Sequence, residues 1–227
     1  MQSTAPQLLV LRCAIFFEQP TVIEKQMENE MSPHSKTFHS VEDYLRIEET
    51  ALRKSEYLNG EMTEMPGVTR EHILIVTNLV YALRAQMIDR PFEVYCSELR
   101  LKVSATGLYT YPDVMVSEAE PAFEDAGARI FLNPILLIEV LSKATESNDR
   151  GWKFSHYQRL QSLREYVLVS QNEFRVEQYV RQPDGKWLYT ETTDPNRDVI
   201  FEPIACRVQM KDIYHRVIFK KEEDSPA

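Results

Sequence analysis

Six glycines in 227 residues are too few, and too scattered, to build a glycine-rich phosphate loop. The chain has no His-Glu-x-x-His pair for a helix-borne zinc ion and no Gly-x-Ser-x-Gly elbow for a nucleophilic serine. Its three cysteines, Cys13, Cys96 and Cys206, are scattered, odd in number and form no Cys-x-x-Cys pair, so neither a structural zinc site nor a disulfide framework is indicated. A reducing cytoplasm is the expected compartment. No apolar stretch reaches the ~18–20 residues that span a bilayer, so no membrane partner is expected. Leu8 to Phe17 is apolar apart from Arg12 and Cys13, but it lacks the basic flank and small-residue cleavage site of a secretory signal.

Positive charge is also in short supply. A net charge of -9 argues against a surface that grips nucleic acid over its whole extent. The balance is uneven, however: from Arg150 to Lys186 there are seven basic and four acidic residues. A composition 43% apolar and 27% charged is ordinary for a globular protein with one sizeable core.

Residues 1–38 show no clean period and are expected to form a loosely attached extension. Residues 39–219 would form one domain, and residues 220–227 a charged tail. Ser40 is placed to cap a short helix through Val41, Tyr44, Leu45 and Ile47. Asn59-Gly60 is a hairpin turn between short strands. A long helix is expected from Thr69 to Ile88, with Ile73, Val76, Val80, Leu83 and Met87 on its buried face and Pro91 beyond its end. Strands follow at Phe92–Tyr95, Leu99–Val103 and Tyr111–Val116, then a polar loop from Glu118 to Arg129. After a strand around Glu139 come a helix from Asp149 to Leu160, a buried strand from Tyr166 to Ser170, and a C-terminal hairpin turning at Pro183-Asp184-Gly185-Lys186. The order predicts an α/β domain with a mixed central sheet flanked by helices.

Within this layout Glu139 stands out. It interrupts the apolar run Pro134-Ile-Leu-Leu-Ile-Glu-Val-Leu141, which reads as a strand covered on both faces. A buried carboxylate costs several kcal/mol unless a proton, a cation or a metal compensates it. Asp113 enters a similar setting in Tyr111-Pro-Asp-Val-Met-Val116, 26 residues earlier. Two such acids on neighbouring buried strands point to a hard divalent cation, Mg2+ or Mn2+, which prefers oxygen ligands. Lys153, on the following helix, could hold or activate water or neutralise a phosphate, and Tyr157 lies one turn further on.

These segments resemble the PD-(D/E)XK nuclease superfamily and, within it, the Uma family of putative restriction endonucleases. The resemblance rests on Tyr111-Pro112-Asp113-Val114, on Pro134 through Ser142, on Asp149-Arg150-Gly151-Trp152-Lys153-Phe154 with Tyr157, and on Glu165 through Val169. Asn59-Gly60-Glu61 and the helix bearing His72 fit the same layout. It implies a restriction-endonuclease-like fold and a metal-dependent endonuclease that hydrolyses DNA phosphodiester bonds. Asp113 and Glu139 would hold the metal with the Val140 carbonyl, and Lys153 would serve as the catalytic lysine. The superfamily's lysine two residues after the glutamate is missing, because Leu141 stands there. Lys143 is the other candidate. A homodimer would supply two sites for cutting both strands.

Each residue also has a plainer reading. Asp113 could be a turn residue, Glu139 a partner of Arg150, and Lys153 a solvated helix lysine. His72 reads as a core or rim histidine, Glu61 as an outer acid of the site, and His156 as a phosphate contact or a solvated side chain. Trp152, Tyr157 and Arg159 could contact nucleic acid or simply pack. The rival to cleavage is a catalytically weak or inactive nuclease-fold protein acting in DNA binding or assembly.

Overall fold

A computed structural model describes residues 37–219; the expected leader and charged tail otherwise lie outside the described residues. Helix α1 (Val41–Glu48) begins at Ser40, whose hydroxyl accepts the Asp43 N–H at 3.1 Å, with acids in its first turn and Arg46 in its last. Strands β1 (Ser55–Leu58) and β2 (Glu61–Glu64) then form the expected hairpin. Its turn needs two left-handed residues, and Asn59 and Gly60 supply φ of 49° and 92°.

Helix α2 (Arg70–Gln86) is capped by the Thr69 hydroxyl and buries Ile75, Leu79 and Leu83, with Met87 beyond its end. The expected face is therefore corrected: Ile73 is 52% exposed, and Val76 and Val80 are only partly buried. Ile73-Leu-Ile-Val76 offers apolar side chains all round the helix, so periodicity alone permits either register. The sheet beneath selects one.

The next correction matters more for function. The strand expected over Tyr111–Val116 begins only at Val114. Strand β3 (Glu93–Cys96) and β4 (Arg100–Val103) are followed by β5 (Leu108–Thr110) in one sheet and β6 (Val114–Ser117) in another. Between them the chain passes through Tyr111-Pro112-Asp113. Pro112 has no N–H for a ladder, and the Tyr111 hydroxyl is tied to Glu48 Oε2 at 2.6 Å.

Strand β7 (Ile130–Phe131) follows the polar loop, and β8 (Leu136–Leu141) is buried throughout. A helical segment, α3, then runs in three consecutive stretches: Glu146–Asn148, a π-helical turn Asp149–Lys153, and Phe154–Tyr157. It carries the chain to β9 (Glu165–Ser170), which lies parallel to β8 from Leu136↔Glu165 to Leu141↔Ser170. Strands β10 (Val176–Arg181) and β11 (Trp187–Thr192) are the expected hairpin, added at the edge of the sheet. Strands β12 (Asp198–Phe201) and β13 (Cys206–Gln209) and helix α4 (Met210–Ile213) were not expected from the sequence.

The five-stranded sheet has the order β2-β1-β5-β4-β7 and the six-stranded sheet the order β11-β10-β9-β8-β6-β3. Alternate residues of β8 feed two cores. Leu136, Ile138 and Val140 pack with α2, the β12–β13 pair and α4. Leu137 and Leu141 pack with Tyr157 of α3 and with Leu101, Val103 and Leu108 of the five-stranded sheet. The domain is a mixed α/β fold of the restriction-endonuclease type. No helix among the described residues is long and apolar enough to cross a membrane.

Candidate active site

Strand β8 is covered by β6 along only half its length. The antiparallel register runs Val116↔Leu136, Met115↔Leu137 and Val114↔Ile138 and then stops. Continued by one step, it would set Asp113 opposite Glu139. The turn at Pro112 instead removes the partner strand, and the freed N–H of Val140 donates to Asp113 Oδ2 at 2.8 Å. A carboxylate thus replaces a backbone carbonyl where the ladder ends. Asp113 and Glu139 line one cavity of about 360 Å³, together with Val140, Glu56, Asp149 and Lys153. The geometry on which the sequence reading depended, two acids reaching one pocket, is present.

Glu139 is nearly sealed from solvent. Its Oε1 accepts the Tyr157 hydroxyl at 2.8 Å and the Lys153 ammonium at 3.3 Å. Burial pushes its pKa up to about 8; Lys153 opposes the shift, and the charges of Asp149 and Asp113 add to it. Arg150, the plainer partner considered for Glu139, is elsewhere: it binds Glu177 at 2.6 Å and Glu146 at 2.9 Å.

Lys153 is not a solvated helix lysine. Its ammonium is buried 3.2 Å from Glu56, 3.3 Å from Glu139 and 3.1 Å from Asp149. Burial alone would lower its pKa, but the three carboxylates outweigh that and raise it well above the ordinary value. Lys143 is exposed and does not line the cavity. The π-helical turn spans Asp149 to Lys153, so both ends of this ion pair come from an irregular, widened turn of the kind that recurs at functional sites. Asp149 Oδ1 is buried against the Lys153 ammonium at 3.1 Å; burial first, then Asp113, push the Asp149 pKa up against the pull of Lys153 and Thr145.

His72 belongs to the site. From the first turn of α2 its Nε2 lies 2.9 Å from Asp113 Oδ1, so both Asp113 oxygens are engaged. Glu61 sits instead by a neighbouring cavity, and the outer acid here is Glu56, held by the Thr110 hydroxyl at 2.6 Å. Glu56 and Asp149 were missed as site residues. Alternation along Ser55–Leu58 places Glu56 opposite in facing to Tyr57, but only the sheet order β1-β5 brings it to Thr110 and Lys153. Tyr157 is fully buried, whereas Trp152 and Arg159 remain at the surface. His156 packs at a tilt against Trp152, the ring centres 4.7 Å apart, and lies outside the cavity, its pKa lowered by burial. Among the described residues no three His, Cys, Asp or Glu side chains are already grouped as a metal-binding cluster.

Comparison with known proteins places this geometry in context. The sequence pattern of the Uma2 family, described as putative restriction endonuclease, matches residues 41–209. An uncharacterized protein of Synechocystis, sll1609, is 37% identical over 159 residues, covering 70% of this chain and 90% of its own. A second from that organism, slr1290, is 34% identical over 149 residues, covering 66% of this chain and 77% of its own. A crystal structure described as a putative nuclease belonging to DUF820, from Anabaena variabilis, superposes with a TM-score of 0.65 at 20% identity. It covers 78% of this chain and 97% of its own.

Proposed function

The chain belongs to the Uma2 family of putative restriction endonucleases, and from that membership and its site geometry we propose that it hydrolyses DNA phosphodiester bonds with a bound Mg2+ or Mn2+ ion. One observation carries the reading: Asp113 and Glu139 meet at the end of the β6–β8 ladder, in a cavity that also holds Lys153.

The donor set suits a hard cation. Five carboxylates, from Glu56, Glu64, Asp113, Glu139 and Asp149, line the cavity with a single lysine. Glu139 and Asp149, both buried and both leaning on the Lys153 ammonium, are pushed toward the protonated form. An added positive charge relieves that repulsion. Magnesium takes one or two carboxylates and fills the remaining positions with water and phosphate, so a prior cluster of three side chains is not required. Asp113, Glu139 and the Val140 carbonyl are the proposed ligands.

Asp113, Glu139 and the Val140 carbonyl would hold such an ion, which would supply acidity to water and positive charge against the scissile phosphate. His72 and the Val140 N–H hold Asp113 in one orientation. Tyr157 and Lys153 both bind Glu139 Oε1, which fixes that carboxylate and leaves Oε2 for a ligand. Lys153 stays protonated, so its part is to orient water and stabilise the phosphate's developing charge rather than to take a proton.

The test is supercoiled plasmid incubated with Mg2+ or Mn2+, comparing the parent protein with Glu139→Ala. Metal-dependent nicking lost in the variant supports the reading. DNA bound but left intact by both proteins would assign the fold to binding or assembly instead.

A further inference from the structure

A second cavity, of about 410 Å³, adjoins the acidic one. It is lined by Phe38, Trp152, Tyr57, Asn59, Glu56 and Glu61, among others. Glu56 and Thr63, paired across β1 and β2, line both cavities, so the two adjoin. Apart from Glu56, the site proposed for phosphate cleavage uses nothing from this second space.

Its aromatic residues are set in place. Trp152 belongs to the π-helical turn, beside Lys153, and is 37% exposed, with the His156 ring against it at 4.7 Å. Phe38 is 70% exposed and rests on the β1–β2 turn. A Cβ at Gly60 would fall 2.6 Å from the Phe38 ring, so glycine there admits the close approach as well as the turn. The chain beside Phe38 is tied down twice: the His39 N–H donates to Gly60 O at 2.9 Å, and the Tyr57 hydroxyl donates to His39 O at 3.0 Å. Solvent-exposed aromatic faces held by neighbouring contacts are stacking platforms.

The charge of the cavity selects what can enter. Glu56 and Glu61 on its wall repel phosphate, while the rings offer apolar surface to a flat, uncharged group. We propose that this cavity receives an unpaired nucleobase of the strand whose phosphate occupies the acidic site, stacked on Trp152 with Phe38 as a second wall. A base inside a duplex cannot reach it without leaving its stack. The preferred substrate is then DNA whose strand is single or locally unpaired next to the cut. This rests on the nuclease reading above.

The experiment uses the full chain carrying Glu139→Gln, so that DNA is bound without being cut, and a fluorescent oligonucleotide of about 12 nucleotides, single-stranded or duplex. The single strand is expected to bind at least about tenfold more tightly than the duplex, and Trp152→Ala to weaken that binding by about tenfold or more. Trp152→Phe, which keeps a ring, should retain most of it. Trp152→Ala should leave duplex binding unchanged; as the side chain is only 37% exposed, thermal melting of each variant is read alongside, and Trp152→Phe is the folded comparison. Equal affinity for the two DNA forms, binding insensitive to Trp152→Ala, or absence of binding would each overturn the proposal. Plasmid nicking by the parent protein is read separately, so the cavity can fail while the nuclease reading stands.

Discussion

Val140 donates its backbone N–H to Asp113 Oδ2 at 2.8 Å, so the aspartate closes a β-ladder as well as facing the cavity. These two roles separate by substitution. Asp113→Asn keeps an acceptor for Val140 and should fold like the parent. Asp113→Ala leaves a backbone N–H unpaired at a largely buried position and should cost about 1–3 kcal/mol in urea denaturation. Both should lose nicking. Saturating Mn2+ should stabilise the parent by ~2.7 kcal/mol at a hundred times its Kd, and neither variant. An equal metal-induced shift in Asp113→Asn would remove Asp113 from the ligand set.

Lys153 is the cation shared by Glu56, Glu139 and Asp149. Lys153→Met leaves three buried or half-buried acids without it, so the metal-free protein should lose about 3–5 kcal/mol of stability. Mn2+ should restore part of that loss, since it supplies charge to the same cavity. Activity should fall by about 10²–10³-fold even with metal present, by the loss of a positioned donor. A fully stable, fully active Lys153→Met protein would reduce the lysine to a bystander.

His72 acts on the site through Asp113 Oδ1. His72→Ala should weaken metal binding or activity by about 10–100-fold, as loss of a group that orients a ligand does. Raising the metal concentration should recover part of the rate. If the metal dependence of nicking is the same in the variant and the parent, the histidine has only a packing role.

The sequence made the ends of this site visible and hid its middle. Glu139 was legible because a charge in a continuous apolar strand has few explanations, and Asp113 because it recurs in a similar run. The hairpin at Asn59-Gly60 and the Ser40 cap were legible because local chemistry fixes them. Glu56 and Asp149 were not, since each reaches Lys153 only through sheet order and the irregular turn of α3. The burial of α2 was misread by roughly a third of a turn, because its first residues are apolar on every side. The start of β6 at Val114 rather than Tyr111 depends on Pro112, a local signal that was present but read as part of a strand.

Glu165 offers a test of pH dependence away from the active site. It opens β9 fully buried, with Oε1 accepting Gln178 Nε2 at 2.6 Å and Oε2 lacking any hydrogen bond. Burial pushes its pKa up to about 8, opposed by the Gln178 bond and reinforced by Glu202. A raised folded-state pKa means that the native protein holds a proton that the unfolded chain releases. The stabilisation is complete below the ordinary value of 4.5 and fades as pH rises through that window to about 8. The parent should therefore lose stability across this interval, with Glu165 contributing on the order of a few kcal/mol at most. Glu165→Gln cannot ionise and should make the profile less steep, leaving the slope due to Glu139, raised likewise to about 8, and to Asp149. Urea midpoints measured across the window decide the matter: parallel profiles for parent and variant would mean that Glu165 is charged in the folded protein, with a cation or water at the oxygen that stands unpaired here.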